Sequence, residues 1–234
     1  MLVVLSVGGS ILAKDLKPES FRAYAVALKE LAKENTIIVV TGGGTAARDY
    51  INAARSVGCN EVECDYIGID ITRLNAKLLI SALGNAAYPQ PPHDYVEARE
   101  ALSSGKIVVM GGVIPGQTTD AVAAILAEYL RVDLFVIATA VDGVYTADPK
   151  QYPDARKYEV MSPKELVNIV MTIEMKAGSK SPVDPLAAKI IERCNIETIV
   201  MDGSDAQDVL QAIIQESIMT EPLKGAHLGT RIRG

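Results

Sequence analysis

This chain has no tryptophan and two phenylalanines in 234 residues, so its interior has to be built from aliphatic side chains. Cysteine is scarce: Cys59, Cys64 and Cys194 are odd in number and lack C-x-x-C spacing. That excludes a disulfide framework and fits free buried thiols in a reducing compartment. The two histidines, His93 and His227, lie far apart and form no zinc pattern. No apolar run approaches the roughly 20 residues that a membrane span needs. The opening Met1-Leu2-Val3-Val4 lacks a basic segment and leads straight into a glycine turn. It reads as a first strand and not as a signal peptide, and the expected location is the cytoplasm. Positive charge is in deficit, with a net charge of −6, which argues against a general nucleic-acid binder. Local lysines and arginines can still serve a small anionic ligand.

What is present is an ordinary core-forming composition, 49% hydrophobic and 22% charged, of a length that suits one large domain or two lobes. Strands are expected at 2–7, 36–41, 107–110, 134–138 and 198–201, with a short strand at 86–88 and a closing strand in the tail at 229–232. Helices are expected at 18–34, 45–57, 65–83, 95–103, 120–130, 163–171, 185–193 and 206–215. Pro18 suits a first helical position. The helix over 65–83 is expected to turn Ile69, Leu74, Leu78 and Leu79 inward. Strands alternating with amphipathic helices imply an α/β fold, a three-layer sandwich with a mostly parallel central sheet and helices on both faces. The character of the chain changes after residue 140, where the turn-rich segment 141–149 begins, and a second lobe is expected from about 131. One domain over 1–234 with an N-terminal lobe (1–130) and a C-terminal lobe (131–234) is therefore expected, without a linker.

Three of the strands run into glycine turns: Gly8-Gly9-Ser10, Gly42-Gly43-Gly44, and Gly111-Gly112-Val113-Ile114-Pro115-Gly116. Glycine lets backbone N–H groups approach an anion, and a helix N-terminus adds favourable partial charge. Ligands of parallel sheets bind beyond the carboxyl ends of the strands, so the three turns can share one cleft that holds several phosphates. The third turn nearly fits the P-loop spacing, but Gln117 stands where that motif requires lysine. Arg48, one turn into a helix, opposes the local dipole at a small cost that phosphate binding can offset. Asp120 reads as a helix N-cap or as an acid that organises cations near phosphates. Asp65 reads equally as an N-cap of the long helix and as an acceptor for ribose hydroxyls. Lys14 and Lys180 sit in or beside glycine-bearing polar segments and are either solvated surface lysines or phosphate ligands.

Taken in order, Gly8-Gly9-Ser10-Ile11-Leu12, Gly42-Gly43-Gly44-Thr45-Ala46-Ala47-Arg48, the stretch from Asp65 to Ala76, Thr118-Thr119-Asp120 and Val141-Asp142-Gly143-Val144-Tyr145-Thr146-Ala147-Asp148-Pro149 resemble the amino acid kinase superfamily. Within it they resemble the archaeal-type uridylate (UMP) kinases. That resemblance implies ATP contacts from Gly9, Ser10, Gly44, Arg48, Thr139, Tyr145 and Asp148. It implies UMP contacts from Gly43 and Asp65, the latter on the ribose, and from Val113, Ile114, Pro115, Gly116, Gln117, Thr118 and Thr119. UMP would lie on the N-terminal side and ATP on the C-terminal side. Asp120 matches the acid that organises catalytic lysines in related kinases, with Lys14 and Lys180 as the candidate cations. Magnesium would accompany ATP, and the expected assembly is a homohexamer. The chain departs from relatives in two places: Ser6 stands where many carry a lysine in the pattern K-x-x-G, and Pro182 stands where acetylglutamate kinases carry a lysine just before the V-D that matches Val183-Asp184, with Lys180 two residues earlier. It also lacks the histidine after the second glycine loop that isopentenyl phosphate kinases use. A kinase for another small acceptor, or a non-catalytic nucleotide or oxyanion storage module, is the alternative.

Overall fold

The computed structural model describes residues 1–147, 149, 152–174, 183–218 and 228–234. Asp148 and Lys180, both expected at the site, lie outside the described residues.

The strands are short and the central ones mostly apolar, and alternate side chains serve opposite faces. On β1 (Leu2–Val7), Val3, Leu5 and Val7 join one core while Val4 points into the other, and all four are fully buried. The rest of the sheet is β2 (Thr36–Thr41), β3 (Val108–Met110), β4 (Leu134–Thr139), β5 (Val160–Met161), β6 (Thr198–Asp202) and β7 (Thr230–Ile232). The seven strands form one sheet in the order β3-β2-β1-β4-β6-β7-β5. The pairs from β3 to β6 are parallel, β7 runs antiparallel to β6, and β5 is parallel to β7. The mostly parallel sandwich expected from the alternation is therefore present. Only the tail strand and its neighbour reverse direction.

The helices are α1 (Gly9–Leu12), α2 (Pro18–Leu31), α3 (Gly44–Ser56), α4 (Glu61–Leu83), α5 (Tyr95–Leu102), α6 (Thr119–Leu130), α7 (Pro163–Glu174), α8 (Pro185–Cys194) and α9 (Ala206–Ile218). One face of the sheet carries α2, α4 and α9 through Phe21, Leu28, Leu79 and Ile213. The other carries α6, α7 and α8 through Leu126, Leu166 and Ile191. The C-terminal strand is tied in by Arg231, buried at 6% exposure, which pairs with Glu216 of α9 and lies 3.8 Å from Glu197.

Three local expectations need correction. The long helix starts at Glu61 and not at Asp65, because Asn60 and Glu63 form a reciprocal capping box: the Asn60 side chain accepts from the Glu63 N–H at 3.0 Å and Glu63 accepts from the Asn60 N–H at 2.8 Å. Leu74 and Leu78, expected inward, are 53% and 45% exposed. The inward set includes Ile69, Thr72, Asn75, Ala76 and Leu79, a face three to four residues apart that Leu74 and Leu78 do not share. The short strand expected at 86–88 is a 3-10 turn (Gly84–Ala86) followed by a single parallel bridge from Ala87 to Ile107.

Candidate active site

Register brings the glycine turns together. Val7 of β1 is opposite both Thr41 of β2 and Ala138 of β4, so these strands end at one level. The chain order also reverses beside β1, which makes this the switch point of the sheet. The Gly8 N–H donates to the Ala138 carbonyl at 2.9 Å, and the Gly42 N–H donates to the Val7 carbonyl at 2.9 Å. The first and second turns are seated backbone on backbone. A Cβ on Gly9 would overlap the Gly44 nitrogen and stand 2.6 Å from the Gly42 carbonyl carbon. Gly44 has φ +69°, and a Cβ there would lie 2.5 Å from the Gly9 oxygen. The close approach requires glycine on both sides. Both turns lead into helices, α1 and α3, whose first N–H groups carry no side-chain cap, the arrangement that receives anions.

Helix α4 holds the second and third turns, a role that the sequence reading missed. The Asn75 amide, 2% exposed, donates to the Gly42 carbonyl at 2.8 Å and the Gly43 carbonyl at 3.3 Å. The buried Thr72 hydroxyl donates to the Ile69 carbonyl at 2.6 Å and accepts from the Gly112 N–H at 2.7 Å. Thr41 donates to the Thr72 carbonyl at 2.9 Å. Arg73 Nε donates to the Gly112 carbonyl at 3.2 Å. A signal existed in the sequence: two small polar residues, Thr72 and Asn75, stand three apart on the otherwise largely apolar inward face of the helix. Buried polar groups of that kind need partners, and glycine turns supply them.

Asp65 lies within the first turns of α4 and caps nothing; its carboxylate accepts from the Gly116 N–H at 2.8 Å. Helix α4 therefore pins the third turn at both ends, near Gly112 and at Gly116. Residues Val113 to Thr118 bridge β3 to α6, with Ile114 half exposed. Gln117 is held by Tyr95, whose hydroxyl donates to its Oε1 at 2.8 Å. Burial pushes the Tyr95 phenol up to about 12, so it remains a donor.

Asp120 is not the cap of α6. Thr118 takes that role, accepting from the Ala121 N–H at 3.1 Å. Asp120 instead accepts from the Ser6 hydroxyl at 2.6 Å. Loss of hydration pushes its carboxyl above the ordinary value; the Ser6 donor opposes that rise and the neighbouring Asp184 adds to it. Asp184 caps α8, accepting from the Ala187 N–H at 2.9 Å.

Lys14 sits in an exposed 3-10 turn, Lys14–Leu16, in which Asp15 and Leu16 have φ of 54° and 51°. The turn packs against α1 and α3. Arg48 is exposed on α3 and reaches only Thr45, at 3.4 Å, among its hydrogen bonds. Ser10 is exposed beside Gly9. Thr139 ends β4, and its carbonyl accepts from the Gly203 N–H at 2.8 Å. The Tyr145 hydroxyl donates to Asp142 at 2.8 Å, and Lys157 donates to the same carboxylate at 3.2 Å. Against the upward push of partial burial, those donors hold the Asp142 carboxyl below its ordinary value.

A switch-point cleft lined by uncapped helix starts and glycine turns, with a half-buried acid beside them, defines a phosphate-handling α/β protein. The chain belongs to the amino acid kinase family, whose sequence pattern matches residues 1–202. It is 70% identical over 234 residues to a uridylate kinase of Methanococcoides burtonii, covering 100% of both chains. It is 63% identical over 223 residues to a uridylate kinase of Methanosarcina mazei, covering 95% of this chain and 96% of that one. The crystal structure of uridylate kinase from Archaeoglobus fulgidus superposes with a TM-score of 0.87 at 46% identity, over 99% of this chain and 100% of that one.

Proposed function

We propose that this protein is a cytoplasmic kinase of pyrimidine nucleotide synthesis that transfers the γ-phosphoryl group of ATP to UMP, giving UDP and ADP. The observation that carries this reading is the backbone-on-backbone seating of the Gly9 turn on the Gly44 turn, at the sheet end where Asp120 stands. Two phosphate-bearing ligands gathered there would meet head to head. On this reading, residues 1–130 hold the acceptor side and 131–234 the ATP side. Gly9, Ser10, Gly44 and Arg48 receive ATP phosphates, and Thr139, Tyr145 and Asp148 receive the adenosine. Gly43 and the loop from Val113 to Thr119 hold UMP, with Asp65 on its ribose. Asp65 already accepts one loop N–H through Oδ2, and a carboxylate has capacity left for hydroxyl donors.

The reaction follows from this arrangement. An oxygen of the UMP phosphate, already ionised at neutral pH, attacks the γ-phosphorus in line, so no general base is required. Charge moves onto the β–γ bridge, where main-chain N–H groups of the glycine turns, with Lys14 and Lys180, neutralise it. Mg²⁺ enters with ATP as the substrate complex, carried on phosphate oxygens. Among the described residues, no group of three or more His, Cys, Asp or Glu side chains is assembled that could hold a metal by itself.

The deciding experiment measures ADP release with MgATP and UMP, CMP or isopentenyl phosphate. The highest kcat/KM is expected with UMP. A preference for isopentenyl phosphate would move the protein to a sibling kinase, and nucleotide binding without ADP release would make it a storage module. Asp65→Ala should raise the KM for UMP about tenfold or more, the scale of a lost charged hydrogen bond, and leave the KM for ATP within about twofold. Equal movement of both constants would remove the ribose assignment.

Self-association into a homohexamer is part of the proposal. Val62, Tyr66, Leu74 and Leu78 of α4 are 54%, 56%, 53% and 45% exposed, and they recur at multiples of four along one side of the helix. Glutamate at both Leu74 and Leu78 is expected to reduce the hexamer to smaller species in light scattering. A wild-type protein that runs as a monomer would overturn this part of the reading.

A further inference from the structure

Ser6 is the one polar residue inside β1, and the fold decides what it does there. Even-numbered residues of β1 face the α6 side of the sheet: Val4 shares one buried core with Val122, Ala123 and Leu126. Two residues on, at the carboxyl end of the strand, Ser6 is fully buried on the same face. Its hydroxyl meets Asp120 in the first turn of α6, 2.6 Å from Oδ1. That is the length of a charge-assisted O–H···O⁻ bond. The strands against this helix (β1, β2 and β4) carry no titratable side chain. From α8, Asp184 faces Asp120 and adds like charge, while Lys189 and Arg193 are engaged by Glu192 and Glu128 farther along. From α5, Arg99 lies over the Tyr129 ring, more than two turns away from Asp120 along α6. Among the described residues, Asp120 thus has an acid neighbour and a hydroxyl donor, and no cation is paired with it.

We propose that Ser6 is a positioning residue for phosphoryl transfer: its buried hydroxyl holds the Asp120 carboxylate in one rotamer and favours its charged form. The inference rests on the kinase reading and on Asp120 taking part in it. A hydrogen bond to the ionised form of a carboxyl lowers its pKa. Removing the hydroxyl therefore lets the Asp120 pKa rise, and activity that needs the carboxylate is lost from the acid side first.

The test measures kcat against pH for wild type, Ser6→Ala, Ser6→Thr, Asp120→Asn and the double variant Ser6→Ala with Asp120→Asn. A carboxyl ¹³C NMR titration of Asp120 in the ligand-free protein accompanies it. Ser6→Ala is expected to move the acid limb up by about one pH unit and to lower kcat at pH 7 about tenfold, with both KM values within about twofold. Ser6→Thr, which keeps the hydroxyl, is expected to retain the wild-type limb. In the Asp120→Asn background, Ser6→Ala should have no further effect, because the two groups act as one unit. An unmoved limb and an unmoved Asp120 titration in Ser6→Ala would overturn the proposal, as would independent, multiplicative losses in the double variant. Wild-type turnover in Asp120→Asn would instead count against the part given to Asp120 in the kinase reading, and the NMR titration would still decide whether Ser6 controls that carboxyl.

Discussion

Replacing Asp120 by asparagine is expected to lower kcat by roughly 10²-fold or more, the scale of removing one positioned electrostatic group from a transition state, while the protein stays folded. The two side chains are nearly isosteric, and an asparagine oxygen can still accept from the Ser6 hydroxyl that now lies 2.6 Å from Oδ1. What disappears is the negative charge. Loss of hydration and the neighbouring Asp184 both push the carboxyl's pKa up, so holding it charged for the reaction would carry a cost in the resting protein. On the proposed mechanism that charge, at the end of the sheet where the glycine turns meet, serves the chemistry. Relief of that cost predicts a melting temperature equal to or slightly above wild type. Turnover at saturating UMP and MgATP, read beside a thermal melt, checks both halves. Undiminished turnover would remove Asp120 from the mechanism.

Gly9→Ala is expected to lower kcat/KM for ATP about 100-fold and the melting temperature by several degrees. The reason is steric and local. The added Cβ would meet backbone atoms of Gly42, Gly43 and Gly44, and backbone cannot step aside as a flexible side chain can. The first and second turns would have to part, and overpacking of this kind costs about 1–3 kcal/mol, or roughly 2–4 °C per kcal/mol for a chain of this size. The N–H groups of α1 and α3 would then no longer point at one place. Gly58→Ala is the matched control: Gly58 has φ +101° with nothing within 4 Å of a Cβ, so backbone strain is imposed without separating the turns. That variant should lose about 1 kcal/mol and keep its kcat. Michaelis constants and melts of the two proteins, compared side by side, decide whether the seating matters or only glycine content does.

The strands and most helices were legible because apolar periodicity and local capping chemistry determine them. β1 and β2 carry the expected bounds, and β3, β4 and β6 differ by a residue at one end. Misreadings came where a local signal was overlooked or where two local signals competed. Asp65 reads as a possible cap of the long helix, yet the true cap, Asn60, stands five residues earlier and forms a complete capping box with Glu63. Leu74 and Leu78 were read inward from hydrophobicity alone; the helix turns Thr72 and Asn75 inward instead, because the glycine turns below it need their hydrogen bonds. β5, two residues long, is formed by pairing with a strand 70 residues away and has no periodicity of its own.

The sequence by itself determined that this is a parallel α/β sandwich with three phosphate-type turns, because strand alternation, helix period and glycine turns are encoded within a few neighbouring residues. Only the tertiary structure decided that Gly9 seats on Gly44, that α4 clamps two of the turns, and that Ser6 answers Asp120 across 114 positions of chain. Those contacts are made by parallel pairing and by packing of helices on the sheet, and contacts between residues so distant along the chain leave no local pattern to read.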